Sequence, residues 1–307
     1  ESLGLASQIP DDLWGDGWAV LQPALRQLRS PYLGLRPYRA ADVALFCGRK
    51  AESERLATAV LDLRKTRHHG VVALVGPSGS GKSSLLAAGL IAGECMDGAL
   101  AGWRAEILEA SADLTAAGTG LDLIVVDQLE DVLLADPEHR ATAMAGITAL
   151  AQRTVVVVGL RSDAFAIACT EPILADALSR PVLLAPLARS ELHEVITGPA
   201  ALAGVTVDPA LSRTLELDLA PGPSGSAIGP DVLPLLSTAL LVTWAAGSGR
   251  HMMLADYRAA GGVSAAVESL AEDVFGSLSE AEQQAAEALF LRLVRLHGDS
   301  VVRQPPA

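Results

Sequence analysis

Lysine is scarce in this sequence. Apart from Lys50, Lys65 and Lys82, every residue counted as basic is an arginine. Acidic residues outnumber basic residues by 36 to 23, and the formal net charge is −13. A surface that binds nucleic acid or an anionic membrane needs clustered Lys and Arg side chains. We therefore expect no direct contact with either partner from this chain.

Cysteine and long apolar runs are also in short supply. Cys47, Cys95 and Cys169 lie far apart and form no CxxC pair, so neither a disulfide framework nor a zinc site is expected. The longest apolar run, residues 232–246, contains a proline and falls short of the roughly 20 residues that a membrane span needs. These features predict a cytoplasmic protein without a membrane segment. Because the chain begins with Glu1 rather than Met, we expect it to be a segment of a longer polypeptide.

A glycine-rich motif stands out against this background, since residues 71–84 read VVALVGPSGSGKSS. The pattern GxxxxGK[ST] is that of a P-loop, whose backbone N–H groups cradle the phosphates of a nucleoside triphosphate. The lysine at position 82 reaches the β and γ phosphates, and the Ser83 hydroxyl ligates Mg²⁺. The predicted nucleotide-binding residues of the loop are Gly76, Pro77, Ser78, Gly79, Ser80, Gly81, Lys82, Ser83 and Ser84.

Strand-like and helix-like segments alternate from about Tyr32 to Leu187, which predicts an α/β fold with a parallel sheet covered on both faces. The predicted strands lie at 71–75, 103–108, 121–126, 154–160 and 181–184, and the predicted helix after the P-loop spans Ser83 to Ile91. Strand signals stop after Pro186, and the segments that follow predict a small helical domain. A final amphipathic helix is predicted from Glu280 to Val294.

A second apolar strand ends in a carboxylate, in the sequence LDLIVVDQLEDV. Asp127 at the end of this strand is the Walker B candidate for holding Mg²⁺; the alternative is a turn aspartate after a core strand. Glu130 or Asp131 could act as the general base that polarises the attacking water. The alternative for this pair is that both side chains cap or solvate a helix start.

A third strand ends in arginine, in the sequence TVVVVGLRSDAF. Arg161 could reach a γ-phosphate and report its presence, and the alternative is a surface salt bridge. Guanine readers usually carry an [NT]KxD loop, whereas both lysines outside the P-loop are preceded by arginine. ATP is therefore favoured over GTP.

Together these blocks resemble the novel STAND-type P-loop NTPases, relatives of the NACHT and NB-ARC families, from about Ser30 to Val294. The blocks are SPYLGLRPYRAADVALFCGRKAESERL, the P-loop, VVDQLEDV, VVGLRSDAF, LLAPLARSEL and GPDVLPLLSTALLVTW. The resemblance implies an AAA-like ATPase core, a helical domain and a winged helix that act as a nucleotide-controlled switch, closed with ADP and competent for assembly with ATP. It leaves open an ATP-dependent homo-oligomer and implies flanking effector and sensor domains in a bacterial signalling or transcriptional regulator.

The resemblance also implies roles for individual residues. Gly48 and Arg49 match an aromatic-x-Gly-Arg motif near the adenosine, Pro186 matches a Pro-Leu pair after the last strand, and Pro234 resembles a proline that packs on the nucleotide. The domains implied are a linker or docking helix over 1–30, the P-loop NTPase core over 31–188, the helical domain over 189–277 and an incomplete winged helix over 278–307.

Three departures from the family pattern qualify the expected activity. Lys50 replaces the usual glutamate after Gly-Arg, and the acidic pair after the Walker B aspartate is Glu-Asp rather than Glu-Glu. The link between the second strand and the Walker B strand is also short. We therefore expect a slow regulatory ATPase that uses ATP or ADP with Mg²⁺. The alternatives are a scaffold that retains nucleotide with little turnover, or a small-molecule phosphotransferase.

Overall fold

The structure is a computed structural model that describes residues 30–110, 114, 120–185, 187–219, 232–297 and 300–303. The predicted docking helix and Pro186 lie outside the described residues, as does most of the link over 111–120. The chain divides into a compact unit over Ser30–Val263 and a second unit that includes Ser264–Ala307. The first unit therefore contains both the predicted core and most of the predicted helical domain.

Five parallel strands form the central sheet, in the order β2-β3-β4-β1-β5. Their bounds are β1 Gly70–Gly76, β2 Ala105–Glu109, β3 Leu123–Asp127, β4 Val155–Arg161 and β5 Val182–Leu183. Because β1 and β4 are paired in register, Gly76 at the end of β1 lies opposite Arg161 at the end of β4. The carboxyl ends of the strands thus meet at one edge of the sheet.

Both faces of the sheet are buried by helices. Val155 and Val157 pack into the core on the face that carries the helix Lys50–Arg67 (α1). Val156 and Val158 pack into the core on the opposite face. Period-2 alternation on a doubly covered sheet explains the continuous apolar runs in the sequence, and it confirms the predicted α/β P-loop NTPase fold.

The remaining α-helices of the first unit lie between and after the strands. They are α2 Lys82–Ser84, α3 Leu129–Leu133, α4 Pro137–Ala151, α5 Phe165–Ala168, α6 Pro172–Ser179, α7 Arg189–Leu202, α8 Pro209–Asp218, α9 Val232–Ala246 and α10 Leu254–Ala259. Helix α4 begins at Pro137 because the Asp136 carboxylate accepts the amides of Glu138 and His139, both at 3.1 Å, and proline suits the first helical position.

The helix predicted after the P-loop is a composite. Its first residues form α2, and Leu85–Glu94 continue as a π-helix, a rare conformation that occurs mostly as single turns. Gly89 in this π-helix leaves room for α1 and for Phe46, since a Cβ here would lie 2.4 Å from Ser53 Oγ of α1 and 3.1 Å from Phe46 Cε1. Apolar spacing predicts a helix here but does not distinguish these two helix types.

The segment after Pro186 is not purely helical, so the prediction that strands stop there was wrong. Thr206–Val207 (β6) and His251–Met252 (β7) form a two-stranded parallel sheet. The Thr206 amide donates to the Arg250 carbonyl at 2.8 Å, and the Asp208 amide donates to the Met252 carbonyl at 2.9 Å. Strands of two residues carry no periodic signal, and their partners lie more than forty residues apart in the chain.

Residues 30–49, which we call the N-terminal strap, join distant parts of the first unit. The Tyr38 amide donates to Ser84 Oγ at 3.1 Å, and the Tyr32 hydroxyl donates to the Ile196 carbonyl of α7. Gly48 (φ +80°) packs directly on α7, where a Cβ would lie 2.8 Å from the Glu191 carbonyl. The strap therefore contacts both the helix that follows the P-loop and the first helix of the helical segment.

The second unit includes the helix α12, Glu280–Leu293, followed by strands Val294–His297 (β8) and Ser300–Arg303 (β9), which pair in antiparallel fashion. A further helix, α11, covers Gly262–Ser277. The assignment of 278–307 to a winged helix stays a prediction. Within the described residues, no helix has the length and apolar character needed to span a bilayer.

Candidate nucleotide-binding site

The P-loop leads from β1 into α2 at the carboxyl edge of the sheet. Gly79 (φ +73°) and Gly81 (φ +91°) adopt left-handed backbone conformations that residues with a Cβ rarely reach. Ser80 closes the loop by donating its hydroxyl to the Pro77 carbonyl at 2.8 Å. Because the loop opens directly into a helix N-terminus, its free backbone N–H groups suit an anion.

Lys82 is buried in the loop, with 8% of its surface exposed. Its ammonium donates to the Gly76 and Pro77 carbonyls, both at 2.9 Å. Burial lowers the pKa of Lys82, while the charges of Glu130 and Asp127 oppose this shift. These carboxylates and the loop carbonyls hold a partly desolvated cation where the phosphates of a P-loop ligand lie.

The two serines after Lys82 differ in their surroundings. Ser84 Oγ accepts the Tyr38 amide of the N-terminal strap at 3.1 Å, so its side chain anchors the strap. Any phosphate contact by Ser84 would then come from its backbone amide. Ser83, one position earlier, is half-buried on α2. Its hydroxyl is the hard oxygen ligand that a P-loop offers to Mg²⁺.

Asp127 ends β3 and is 9% exposed. Its Oδ1 accepts the amide of Gln128 at 2.9 Å, and Gln128 is one of two described non-glycine residues with positive φ (56°). This turn fixes the carboxylate at the strand end. No group of three or more His, Cys, Asp or Glu ligands occurs in the described part of the chain. The Asp127 carboxylate and the Ser83 hydroxyl fit Mg²⁺, which proteins usually hold through one or two oxygen ligands together with phosphates and water.

Gly159 on the neighbouring strand β4 makes room for this carboxylate. A Cβ at position 159 would lie 2.6 Å from Asp127 Oδ1 and 2.8 Å from Leu86 Cδ1. We expect Gly159→Ala to displace Asp127 and to lower Mg²⁺-dependent phosphate release at least about 10-fold, since misplacements near 1 Å can cost about 100-fold. Phosphate release measured over a Mg²⁺ titration checks this.

The matched control for this substitution is Gly276→Ala in α11, where a new Cβ meets no atom within 4 Å. We expect this variant to keep the wild-type rate. Overpacking at position 159 should also lower the free energy of unfolding by about 1–3 kcal/mol. An unchanged Mg²⁺ titration for Gly159→Ala would contradict the placement of Asp127.

Glu130 and Asp131, the two candidates for the general base, differ in burial. Glu130 is 5% exposed and its Oε2 accepts the Arg161 amide at 3.1 Å, whereas Asp131 is exposed. Burial raises the pKa of Glu130, while hydrogen bonds from its own and the Arg161 backbone and the Lys82 charge oppose the shift. The structure therefore brings Glu130 to the site and leaves Asp131 facing solvent.

Arg161 ends β4 beside the first P-loop glycine. Its side chain forms an ion pair with Asp163, with Nε to Oδ1 at 3.1 Å and Nη2 to Oδ2 at 2.5 Å. The salt bridge that was the alternative to γ-phosphate sensing by Arg161 is thus present, and it lies at the edge of the site. Sequence reasoning missed Asp163, although the spacing Arg-Ser-Asp after a strand was visible.

Comparison with known proteins agrees with this geometry. The family model of the novel STAND NTPases, nSTAND1, matches residues 31–117 and 105–306. The chain belongs to the novel STAND NTPase family. It is therefore a nucleotide-binding NTPase module, and the resemblance seen in the sequence blocks is confirmed.

Solved structures share the fold at low sequence identity. The Orc1 protein of Aeropyrum pernix, solved in complex with DNA, is 18% identical with a TM-score of 0.51 over 82% of this chain and 73% of that chain. Domain III of the replication initiation protein DnaA of Thermotoga maritima is 11% identical with a TM-score of 0.50, over 79% and 99% of the two chains. No curated protein matched the chain.

Of the residues matched through the STAND motifs, Arg49 lies close to the P-loop. Its guanidinium is buried and donates from Nη2 to the Ser80 carbonyl at 3.4 Å and from Nη1 to Glu52 Oε1 at 3.3 Å. Burial lowers the pKa of Arg49, and the charges of Glu52 and Glu191 oppose this shift. Glu52, which sequence reasoning missed, thus supports an arginine that contacts the phosphate loop itself.

Pro234, another STAND motif residue, lies in the first turn of α9. The preceding residue, Leu233, lies beside the P-loop, since its Cδ1 would be 3.4 Å from a Cβ added to Gly81. The Pro234 carbonyl accepts the Thr238 hydroxyl at 2.8 Å. The start of α9 therefore lies beside the phosphate loop, which is where a proline in contact with nucleotide would have to be.

Proposed function

We propose that this chain is an ATP-binding, slowly hydrolysing regulatory switch within a larger bacterial signalling or transcriptional regulator. The observation that carries the proposal is that Leu233 of α9 lies beside Gly81 of the P-loop, close enough to contact a Cβ if one were added there. A nucleotide on the loop would lie next to both the sheet and the helical segment. Its phosphate state could then bias the position of α9, as a two-state switch requires.

The residues of the site support a division of roles in hydrolysis. Lys82 and the P-loop amides would bind the phosphates, and Ser83 with Asp127 would hold Mg²⁺, which neutralises phosphate charge when bound. The Glu130 carboxylate would take a proton from water as the water oxygen attacks the γ-phosphorus. The bond to the bridging oxygen then breaks, and ADP and phosphate are formed.

Slow turnover fits the burial of the acidic pair. Glu130 is buried and Asp131 is exposed, which supports a site with a single carboxylate available as the general base. ATP rather than GTP rests on the absence of a guanine-reading lysine, and a cytoplasmic location rests on the cysteine pattern.

The proposed partners follow from family and charge. Flanking effector and sensor domains would read the state of the switch, and a homo-oligomer could assemble with ATP. The net charge of −13 supports our expectation that this segment makes no direct nucleic-acid contact.

Identification of the bound nucleotide tests the proposal. Purified protein is denatured, the released nucleotide is identified by chromatography, and phosphate release is measured with added ATP and Mg²⁺. We expect tightly bound ADP and turnover at or below about 10⁻² s⁻¹, in the range of slow switch NTPases. Protein that neither carries nor binds nucleotide would contradict the proposal. Bound nucleotide without phosphate release would instead support a scaffold, and phosphate transfer to a small molecule rather than water would support a phosphotransferase.

A further inference from the structure

The ion pair between Arg161 and Asp163 has a geometry that bears on phosphate recognition. Asp163 lies in the 3₁₀ turn Ser162–Ala164, two residues after the arginine. Its Oδ1 accepts Nε at 3.1 Å and its Oδ2 accepts Nη2 at 2.5 Å. Two parallel hydrogen bonds fix the plane of a guanidinium as well as its position.

This contact occupies one particular edge of the guanidinium. An arginine carries five N–H donors in a rigid planar group. Nε and one N–H of Nη2 form the edge that Asp163 takes, while Nη1 and the second N–H of Nη2 form the outer fork. The outer fork has the spacing that matches two oxygens of a phosphate.

The backbone of Arg161 is held in place as well. Its backbone amide donates to Glu130 Oε2 at 3.1 Å, and it lies opposite Gly76 of the P-loop in the β1–β4 register. The Arg161 side chain is 30% exposed and that of Asp163 is 64% exposed, so the pair lies at the solvent edge of the site. An exposed pair of this kind adds little to folding stability, so stability alone does not explain why Asp163 lies against Arg161.

We propose that Asp163 is a positioning residue that holds the outer fork of Arg161 ready for the γ-phosphate of a bound nucleoside triphosphate. This inference rests on the proposed role of Arg161 as the γ-phosphate sensor. A free arginine side chain loses rotamer entropy when it binds phosphate, whereas one already held by Asp163 loses less. ADP has no γ-phosphate, so the effect separates triphosphate from diphosphate.

Affinities for ATPγS and ADP, measured with Mg²⁺ by isothermal titration calorimetry, test the inference. We expect Asp163→Ala to weaken ATPγS binding about 3- to 10-fold, the range for ordering one flexible side chain, and to change ADP binding less than about twofold. Asp163→Asn keeps an acceptor oxygen for Nε and should recover part of the loss. The unfolding temperature of the ligand-free protein should not change with either variant.

A double-mutant cycle shows whether Asp163 acts through Arg161. In an Arg161→Ala background, Asp163→Ala should cause no further loss of ATPγS affinity, since coupled residues are non-additive. An equal loss in both backgrounds would overturn the inference. Tighter ATPγS binding by Asp163→Ala would also overturn it, because Asp163 would then compete with the phosphate.

The proposed function can fail separately from this inference. If Arg161→Ala lowers the preference for ATPγS over ADP while Asp163→Ala does not, the role of Arg161 as γ-phosphate sensor is supported and the positioning role of Asp163 is refuted. If Arg161→Ala leaves the preference unchanged, the sensor itself is refuted and the inference falls with it.

Discussion

Lys82→Ala weakens ATP binding at least about 100-fold, which is the largest effect we expect from a single substitution. The ammonium is buried beside Glu130 and Asp127, where its attraction to phosphate is poorly screened, and removing one partner of such a buried charge pair costs about 2–5 kcal/mol. Equilibrium binding of a fluorescent ATP analogue checks the result, and phosphate release should fall with it.

Lys65→Ala provides the control, because it removes another of the three lysines from an exposed position near the end of α1. We expect nucleotide affinity within about twofold of wild type, since exposed charges contribute little. Removal of Lys82 leaves the buried Glu130 and Asp127 carboxylates without a cation beside them, so we expect the ligand-free variant to be less stable than wild type, and circular dichroism checks that it is folded at the temperature of the binding assay. Nucleotide affinity that survives in Lys82→Ala would refute the site.

Glu130→Gln lowers phosphate release about 100- to 10,000-fold while ATP affinity stays within about threefold. The amide oxygen of glutamine can still accept the Arg161 backbone N–H, so the local structure is kept, but the side chain cannot take a proton from water. Single-turnover hydrolysis and equilibrium binding, measured on the same preparation, separate the two effects.

Asp131→Asn distinguishes the two members of the acidic pair. Because Asp131 is exposed, we expect its loss to lower hydrolysis less than about threefold. The reverse pattern, an inactive Asp131→Asn and an active Glu130→Gln, would show that the base has been assigned to the wrong residue.

The pH dependence of hydrolysis gives an independent check on Glu130. Burial raises the pKa of this carboxyl above its ordinary value, and it accepts a proton only when ionised. Hydrolysis should therefore decline as the pH falls through this raised pKa. The residual activity of Glu130→Gln should lack this decline.

The sequence was sufficient to predict the phosphate loop and the strands that support it. The P-loop pattern defines a strand, a turn and a helix start within a few residues, and the apolar runs that end in Asp127 and Arg161 indicate strands buried on both faces. Because parallel strands present their carboxyl ends at one edge, the proximity of these residues follows from topology.

Other features depended on contacts that local patterns do not encode. Whether Glu130 or Asp131 faces the site depends on how α3 leaves the sheet after the left-handed Gln128. The pairing of β6 with β7 joins two-residue strands far apart in sequence. The side chain of Ser84 fits the P-loop motif, yet its hydrogen bond to the strap arises only in the folded chain.

The strap has a consequence for how the first unit unfolds. Its contacts reach Ser84 behind the phosphate loop, Ile196 of α7 and the Glu191 backbone. Melting of either the sheet or the helical segment would break contacts that hold the other in place. The described residues of the first unit should therefore lose structure in one cooperative transition, and a nucleotide-driven change among them would be a rearrangement between folded states rather than the local melting of one part.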